Sequence, residues 1–229
     1  NNIYYVFNPG KIEPNREDSG IVAEQLTKKY ANEAAAYIGV EQKVTPNLSV
    51  NYGLRFSVFN RLGQDELFVY ENNQPVFFDP FQLVYREAEP IDTINPGRGT
   101  NLKTFTNFEP RVSMAYTIND NNSVKASYTR LAQYLHLLSN TSSPTPLDVW
   151  TPSGPFVEPQ LLDQYALGYF RNIKNGEYSL ELEGFYKEVQ NRIDYIDGAD
   201  LIANDAIEQV ILNGEARAYG LEFLFRKNE

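Results

Sequence analysis

Glutamates are the residues of this sequence most suited to chemistry, because paired carboxylates can act together as general acid and base. Glu181 and Glu183 are separated by a single residue, and Glu222 stands in a similar alternating pattern near the end of the sequence. The same pattern contains basic residues, which are Arg55, Arg111, Lys125, Lys187 and Arg226. Carboxylates beside cations neutralise one another, so the set indicates a polar lattice. We predict no enzyme and no catalytic residues.

Metal and nucleophilic chemistry have few side chains available. His136 is the only histidine and there is no cysteine, so neither a multi-histidine metal site nor a thiolate site can form. Asp194, Asp197 and Asp200 lack the ligand spacing of a calcium loop. We therefore predict no metal site and no cofactor. His136 is expected at the outer end of a strand, where it either packs within a loop or contacts a ligand.

Aromatic residues in long polar segments are the remaining candidates for binding. Exposed aromatics on a rigid scaffold are suited to ligand contact, although large loops also need a small hydrophobic core of their own. Tyr70 and Phe81 belong to these segments without being assigned a contact. The predicted ligand-binding residues are Tyr134, His136, Trp150, Phe156, Phe77 and Phe78.

Charge and hydropathy limit the partners of the chain. A net charge of -10 argues against nucleic acid, because phosphate binding needs a basic surface. Aromatics make up 14 % of the 229 residues, yet the mean hydropathy is -0.45. Many rings in a chain that is polar on average are typical of strands with one apolar face.

Apolar residues alternate with a period of two, which indicates β-strands. In the clearest segment one face consists of Leu48, Val50, Tyr52, Leu54, Phe56 and Val58, and the other of Ser49, Asn51, Gly53, Arg55 and Ser57. The division recurs at 36–41, 110–118, 124–129, 165–170, 178–187 and 219–226, and no apolar face carries a charge. A charge facing lipid costs about 2–4 kcal/mol, so a lipid-facing wall requires this pattern. The core of a soluble sandwich satisfies it too.

Short and long connections alternate along the sequence. Turn-forming sequences occur near 45–47, 119–122 and 174–176, and long connections occupy about 8–33, 60–103, 136–162 and 190–213. Membrane barrels have short turns on one side and long loops on the other. Asn2 to Phe7 adds one more strand, and 25–36 is left open as a short helix or a loop. We predict an all-β fold for 1–229, part of an antiparallel up-and-down transmembrane β-barrel, with about seven or eight strands.

Several motifs resemble the C-terminal β-barrel region of TonB-dependent outer-membrane receptors. They are NFEPRVS at 107–113, YTR at 128–130, the stretch 133–160, QYALGYF at 164–170 and AYGLEF at 218–223. The 133–160 stretch is the most specific, and it is similar to receptors with an N-terminal carboxypeptidase-regulatory-like domain. The resemblance covers about 34–226.

This resemblance implies a place in the cell outer membrane, within a larger barrel of about 22 strands whose lumen holds a plug domain. It implies import of a scarce solute, such as an iron chelate, cobalamin or a glycan, driven by TonB. The expected partners are outer-membrane lipid, TonB, the plug domain of the parent protein and, as in glycan-uptake relatives, a surface lipoprotein. The polar residues expected to face the lumen are Arg55, Arg111, Lys125, Glu181, Glu183 and Glu222. They guide a solute, hold the plug or neutralise one another.

Two alternatives remain open from the sequence. One is a small stand-alone outer-membrane barrel with an adhesin or structural role, because eight strands can close around a filled interior. The other is a soluble all-β binding module, in which the apolar faces converge on a shared core.

Overall fold

The computed structural model describes residues 1–7, 11–13, 24–25, 27–138, 149–201 and 204–228. The helical elements in these ranges are two short 3-10 turns, η1 (Glu71–Asn73) and η2 (Ile207–Gln209), and neither is long and apolar enough to cross a membrane. In chain order the strands are β1 (Asn2–Phe7), β2 (Lys11–Ile12), β3 (Glu24–Gln25), β4 (Lys29–Thr45), β5 (Leu48–Leu62), β6 (Leu67–Val69), β7 (Val76–Asp79), β8 (Val84–Glu87), β9 (Asp92–Ile94), β10 (Asn101–Asn119), β11 (Asn122–Gln133), β12 (Leu135–Leu138), β13 (Val149–Pro152), β14 (Gln160–Ile173), β15 (Tyr178–Tyr195) and β16 (Ile211–Lys227).

Eight strands form one antiparallel sheet, which we call the wall. Its order is β1-β4-β5-β10-β11-β14-β15-β16, so wall strands that follow one another along the chain are also neighbours in space. This is the up-and-down order predicted from the sequence. Within the described residues β1 and β16 lie at opposite edges, so the eight strands form an open sheet. A small closed barrel of eight strands does not fit this order.

Tight turns join the wall strands at one end. Between β4 and β5, the Thr45 hydroxyl accepts hydrogen bonds from the backbone N–H groups of Asn47 and Leu48, at 3.3 and 3.0 Å. Between β14 and β15, φ is +57° at Asn175 and +94° at Gly176. Asn and Gly tolerate this left-handed region best, which is why they mark hairpin turns in a sequence.

The predicted alternation of side chains holds along the wall. Ile38, Leu54, Leu167 and Leu221 point to one side, which we call the apolar face, and they are 70 %, 41 %, 61 % and 80 % exposed. The opposite side is the polar face. A soluble protein buries such a stripe, because burial of apolar surface gains about 25 cal/mol per Å². The predicted all-β, antiparallel fold is confirmed, and a soluble module with a shared core does not fit it.

The wall strands extend beyond the segments predicted from alternation. β4 begins at Lys29, so most of the segment left open as a helix or a loop is strand. β5 ends at Leu62 and β15 at Tyr195, so the long connections after them are shorter than predicted. Much of the predicted connection 8–33, and 139–148 of the predicted loop 136–162, lie outside the described residues.

On the side of Pro110 that is farther from the tight turns, β10 and β11 no longer pair with each other. β10 pairs with β5 along its length, but its ladder with β11 ends at Arg111 and Thr129. Proline has no N–H to donate and is therefore found where a ladder ends. Beyond that point the backbone N–H of Ala132 donates to the Glu109 carboxylate, with an N to Oε2 distance of 3.5 Å.

The long connections pack together at the end of the wall opposite the tight turns. We call their described residues, 63–100, 134–138, 149–159, 196–201 and 204–210, the loop cap. Three short two-stranded sheets lie in the described part of the loop cap, since β6 pairs with β9, β7 with β8, and β12 with β13. Its hydrophobic core, continued into the first residue of β16, consists of Leu138, Val157, Ile196, Leu201, Ile207, Val210 and Ile211. The loops therefore have the core of their own that large loops need.

Candidate functional site

The six polar residues predicted to face a lumen all lie on the polar face: Arg55, Arg111, Lys125, Glu181, Glu183 and Glu222. Lys125 and Glu183, with small residues such as Ser113 and Gly168, line a concavity of about 390 Å³ on this side. The concavity extends from Glu41 on β4 to β15, so the polar face is the concave side of the wall.

Among these six residues, only Arg55 forms an ion pair within the part of the chain that the structure describes. Glu183 lies directly opposite Glu222, and like charges in that position weaken a sheet. Lys125 Nζ is 4.5 Å from the centre of the Phe170 ring. The charges are therefore spread along an open polar lining, and a mutually neutralising lattice is limited to the surroundings of Arg55.

Aromatic rings lie against glycines on the polar face. A Cβ placed on Gly168 would stand 2.8 Å from Cε2 of Phe170, and a Cβ on Gly220 would stand 2.9 Å from Cε1 of Phe185. Real side chains do not approach that closely, so only glycine leaves room for each ring against the wall. The rings are thereby held close to the strands, which keeps the concave side open.

A buried carboxylate joins three wall strands at the upper part of the polar face. Arg55 Nη2 lies 2.8 Å from Glu33 Oε1, and Arg55 Nε lies 3.2 Å from Glu109 Oε1. Ser57 Oγ donates a hydrogen bond to the same Glu109 oxygen at 2.8 Å. Glu33 and Glu109 were not predicted as site residues from the sequence, although Glu109 falls in the same alternating positions as Arg111.

Tyr134, a predicted ligand contact, is buried on the polar face at the base of the loop cap. Its ring stacks on Phe59 with centroids 4.7 Å apart and an interplanar angle of 1°. Its hydroxyl lies 2.8 Å from Ser57 Oγ and accepts a hydrogen bond from Asn107 Nδ2 at 2.8 Å. Burial raises the pKa of Tyr134 above its usual value. The side chain therefore fastens the loop cap to β5 and β10.

His136 is also buried in the loop cap, with 1 % of its surface exposed. Its Nε2 lies 2.9 Å from Ser153 Oγ, and its Nδ1 lies 3.2 Å from Gln160 Nε2. Burial lowers the pKa of His136 to about 4, so the ring is neutral at neutral pH. The structure thus places His136 in loop packing, the first of the two roles expected for it.

Trp150 and Phe156 occupy different environments in the loop cap. Trp150, in β13, is 52 % exposed. Phe156 is half-buried and packs edge-on against Tyr70, with ring centroids 5.3 Å apart. The Tyr70 hydroxyl donates a hydrogen bond to Glu208 at 3.1 Å. Burial is the main cause that raises the pKa of Tyr70, and the negative charge of Glu208 raises it further.

Phe77 and Phe78 lie on the hairpin of β7 and β8, and both are exposed. At the tip of this hairpin Phe81 is 97 % exposed. The Asp79 carboxylate holds the tip, because Oδ1 accepts the backbone N–H groups of Phe81 and Gln82 at 2.9 and 3.2 Å. These hydrogen bonds lower the pKa of Asp79. The hairpin thus presents aromatic rings on a fixed turn.

Metal-binding clusters were not expected from the sequence. In the described part of the chain no three His, Asp or Glu side chains come together in a way that could hold a metal ion.

An open up-and-down wall with an exposed apolar face, a polar concave face and a loop cap at one end defines an outer-membrane β-barrel protein. The sequence profile of the family described as "TonB dependent receptor-like, beta-barrel" matches residues 2–226. The chain belongs to this family, whose members are outer-membrane receptors. No curated protein matches the sequence.

Solved structures with the same fold include the FrpB iron transporter from Neisseria meningitidis, at 10 % identity and a TM-score of 0.53. The ferric-catecholate import receptor Fiu from K12 E. coli has 14 % identity and a TM-score of 0.51. The Serratia marcescens hemophore receptor HasR, solved with its hemophore HasA and heme, has 14 % identity and a TM-score of 0.52. They cover 90 %, 94 % and 88 % of this chain. The chain spans only 25 %, 28 % and 32 % of their lengths, so its wall is part of a larger barrel.

Proposed function

We propose that this chain supplies part of the barrel wall and part of the outer capture surface of a TonB-dependent receptor that imports a scarce solute. The observation that carries the proposal is the pairing of a polar concave face with an exposed apolar face, under a loop cap at one end only. Lipid on one side and an aqueous lumen on the other account for both faces. The imported solute is an iron chelate, a cobalamin or a glycan.

Solute capture is assigned to the outward-facing aromatic residues of the loop cap. Among the described residues Trp150, Phe77 and Phe78 are exposed on short two-stranded sheets of the loop cap, where aromatic rings can contact a solute, and Phe156 is half-buried against Tyr70. Tyr134 and His136 hold the loop cap in place beneath this surface, since both are buried and hydrogen-bonded. The exposed aromatic residues are therefore proposed to contact solute, whereas Tyr134 and His136 hold the loop cap in place. Mutation distinguishes the two roles.

The polar face is assigned to the plug domain and to the solute path. Arg111, Lys125, Glu181, Glu183 and Glu222 make no ion pair among the described residues, which leaves their charges free for a plug or a passing solute. TonB would drive the passage by acting on the plug. A surface lipoprotein would meet the loop cap.

The test uses the full-length receptor on cells that carry or lack TonB. Labelled haem, a ferric siderophore, cobalamin and an oligosaccharide are offered separately, and surface binding and uptake are measured. We expect one class to bind with or without TonB and to be taken up only with TonB. Trp150→Ala and the pair Phe77→Ala and Phe78→Ala should weaken binding about tenfold, as loss of an aromatic contact does.

The matched control is Phe223→Ala, which removes a ring of similar size from the apolar face. It should leave solute binding unchanged. Uptake of the bound solute without TonB, or equal binding by the control and the loop variants, contradicts the proposal.

A further inference from the structure

Four tyrosines form one row across the apolar face. Tyr128 pairs with Tyr165, Tyr165 with Tyr186, and Tyr186 with Tyr219, in the hydrogen-bonded registers of β11, β14, β15 and β16. We call them the tyrosine row. Tyrosine is amphipathic, so it is favoured where an apolar region meets a polar one. The row therefore marks a boundary on the apolar face.

Directly above the tyrosine row lies a row of charges on the same four strands. On each of these strands one charged residue lies two positions from the tyrosine, on the side nearer the loop cap. We call these residues the charged row; they are Arg130, Asp163, Glu188 and Arg217. Asp163 faces both Arg130 and Glu188, and Glu188 faces Arg217, so the signs run plus, minus, minus, plus. The two carboxylates would repel each other, but each has an arginine on its far side.

The distance from the charged row to the tight turns equals the height of a membrane apolar band. Ten residues separate Arg217 from Lys227 on β16, and ten separate Glu188 from Tyr178 on β15. At about 3.3 Å per residue and a strand tilt of about 40°, ten residues rise about 25 Å. The apolar band of a membrane barrel is about 25 Å tall. The charged row thus lies at its upper limit, on the side of the loop cap, which faces the outer leaflet.

Within the described residues, each arginine of the charged row has N–H groups beyond the one that faces its carboxylate. Arg130 Nη1 is 3.6 Å from Asp163 Oδ2, and Arg217 Nη2 is 3.5 Å from Glu188 Oε1. Tyr128 Oη donates to the other oxygen of Asp163 at 2.7 Å, so this carboxylate is shared between two donors. The Arg130 and Arg217 side chains are 34 % and 61 % exposed. A guanidinium has several N–H groups arranged as a fork, and each arginine uses only one nitrogen in its ion pair.

We propose that Arg130 and Arg217, standing on the tyrosine row, bind the phosphate groups of outer-leaflet lipids. Guanidinium forks match phosphate oxygens and bind them by charge-assisted hydrogen bonds. Asp163 and Glu188 hold the two arginines at the outer ends of the row, so the phosphates bind at those ends. The tyrosine rings fix the height of the wall by lying where acyl chains meet headgroups. This surface rests on the outer-membrane placement of the wall and is independent of solute import.

The first experiment measures depth in the full-length receptor reconstituted in phosphatidylcholine vesicles. This chain has no cysteine, so single cysteines introduced at Leu182, Tyr186 and Gln190 on β15 give labelling sites for spin labels, after any cysteine elsewhere in the receptor is replaced. We expect the label at 182 to collide mainly with oxygen, the label at 190 mainly with a water-soluble nickel chelate, and the label at 186 to lie between them. A label at 186 that matches either neighbour overturns the assigned height.

The second experiment measures lipid binding to the detergent-solubilised receptor by native mass spectrometry. The probes are phosphatidic acid and diacylglycerol with the same acyl chains, and inorganic phosphate serves as competitor. We expect phosphatidic acid to bind better than diacylglycerol. The double variant Arg130→Gln and Arg217→Gln should bind it at least tenfold more weakly, in line with the loss of charge-assisted hydrogen bonds.

The matched control is Arg111→Gln, which removes a guanidinium from the polar face of β10. It should bind phosphatidic acid like the unmodified receptor, and heat-dependent gel mobility checks that every variant is folded. Equal binding by the double variant overturns the proposal. If inorganic phosphate binds as tightly as phosphatidic acid, the arginines form a site for a free anion, and the proposal that they bind lipid is overturned. Solute uptake is measured in parallel, so failure of the proposed import is seen separately.

Discussion

At the scale of single residues, the loop cap depends on two buried side chains with different chemistry. Tyr134 combines a stacked ring with a hydroxyl that meets two partners, Ser57 and Asn107. His136 is neutral and is held between Ser153 and Gln160. Both were predicted as ligand contacts from their place beside a long loop, and in this structure their surfaces are used in packing.

Tyr134→Phe separates the contributions of ring and hydroxyl. The ring stays on Phe59, but Ser57 and Asn107 lose a buried partner, so we expect the loop cap to open more easily by about 1–2 kcal/mol. Tyr134→Ala also leaves a cavity and should cost about 3–5 kcal/mol. Hydrogen exchange of the backbone amides of β12 and β13 measures both. Equal protection in Tyr134→Phe and the unmodified receptor would show that the hydroxyl contributes nothing.

His136 makes the stability of the loop cap depend on pH. Its folded pKa of about 4 lies below the unfolded value of 6.5, so between these values the open state binds more protons. The contribution of His136 to the stability of the loop cap is fully present above pH 6.5 and falls as the pH drops towards 4, by at most about 1.4 kcal/mol per pH unit. Amide exchange compared at pH 7 and pH 5 detects the loss. His136→Gln keeps an amide in place of the ring and should remove the pH dependence.

At the scale of elements, neighbouring strands of the wall are fitted to each other by small residues. Phe185 lies against Gly220 on the adjacent strand, at a place where a Cβ does not fit. Alternation in the sequence predicted which side each residue faces, since side-chain direction follows from strand geometry alone. It did not predict the contact between Phe185 and Gly220, because the register of two strands depends on the whole ladder.

Gly220→Ala should displace the Phe185 ring into the concave side and destabilise the receptor by about 1–3 kcal/mol. Gly184→Ala is the matched control, because a Cβ there makes only ordinary contacts, with Leu221 Cδ2 at 3.5 Å and the Gly220 carbonyl oxygen at 3.9 Å. The stabilities of the two variants are compared by the midpoints of their unfolding by urea in lipid vesicles. A smaller effect for Gly220→Ala than for Gly184→Ala would show that the ring moves at no cost.

At the scale of the whole molecule, the fold class was readable from the sequence and the functional surface was not. Alternation, turns and alternating connection lengths are local, so they predicted the up-and-down wall and the side that faces lipid. The surroundings of Glu109, Arg55 and Glu33 depend on three strands distant in sequence. The loop cap likewise brings Tyr70 to Glu208, and no pattern in either segment predicts that contact.

Adjacent residues of β15 test the sidedness of the wall. Leu182 lies on the apolar face and Glu183 on the polar face. Leu182→Lys should lower the free energy of unfolding in lipid by about 2–4 kcal/mol, because the charge then faces the acyl chains. Glu183→Lys keeps a charge in the aqueous concavity. It should change the free energy of unfolding by well under half of the loss expected for Leu182→Lys. Similar losses in both variants would contradict the membrane placement.

On the loop-cap side of Pro110 the wall consists of two panels of four strands, which are joined by ladder hydrogen bonds only from Arg111 to the tight turn. Tyr134 fastens the loop cap to the panel of β1, β4, β5 and β10, and Ile211 of β16 joins the core of the loop cap to the panel of β11, β14, β15 and β16. The loop cap therefore packs on both sides of the gap between β10 and β11, and its contacts hold the two panels together where the ladder is missing.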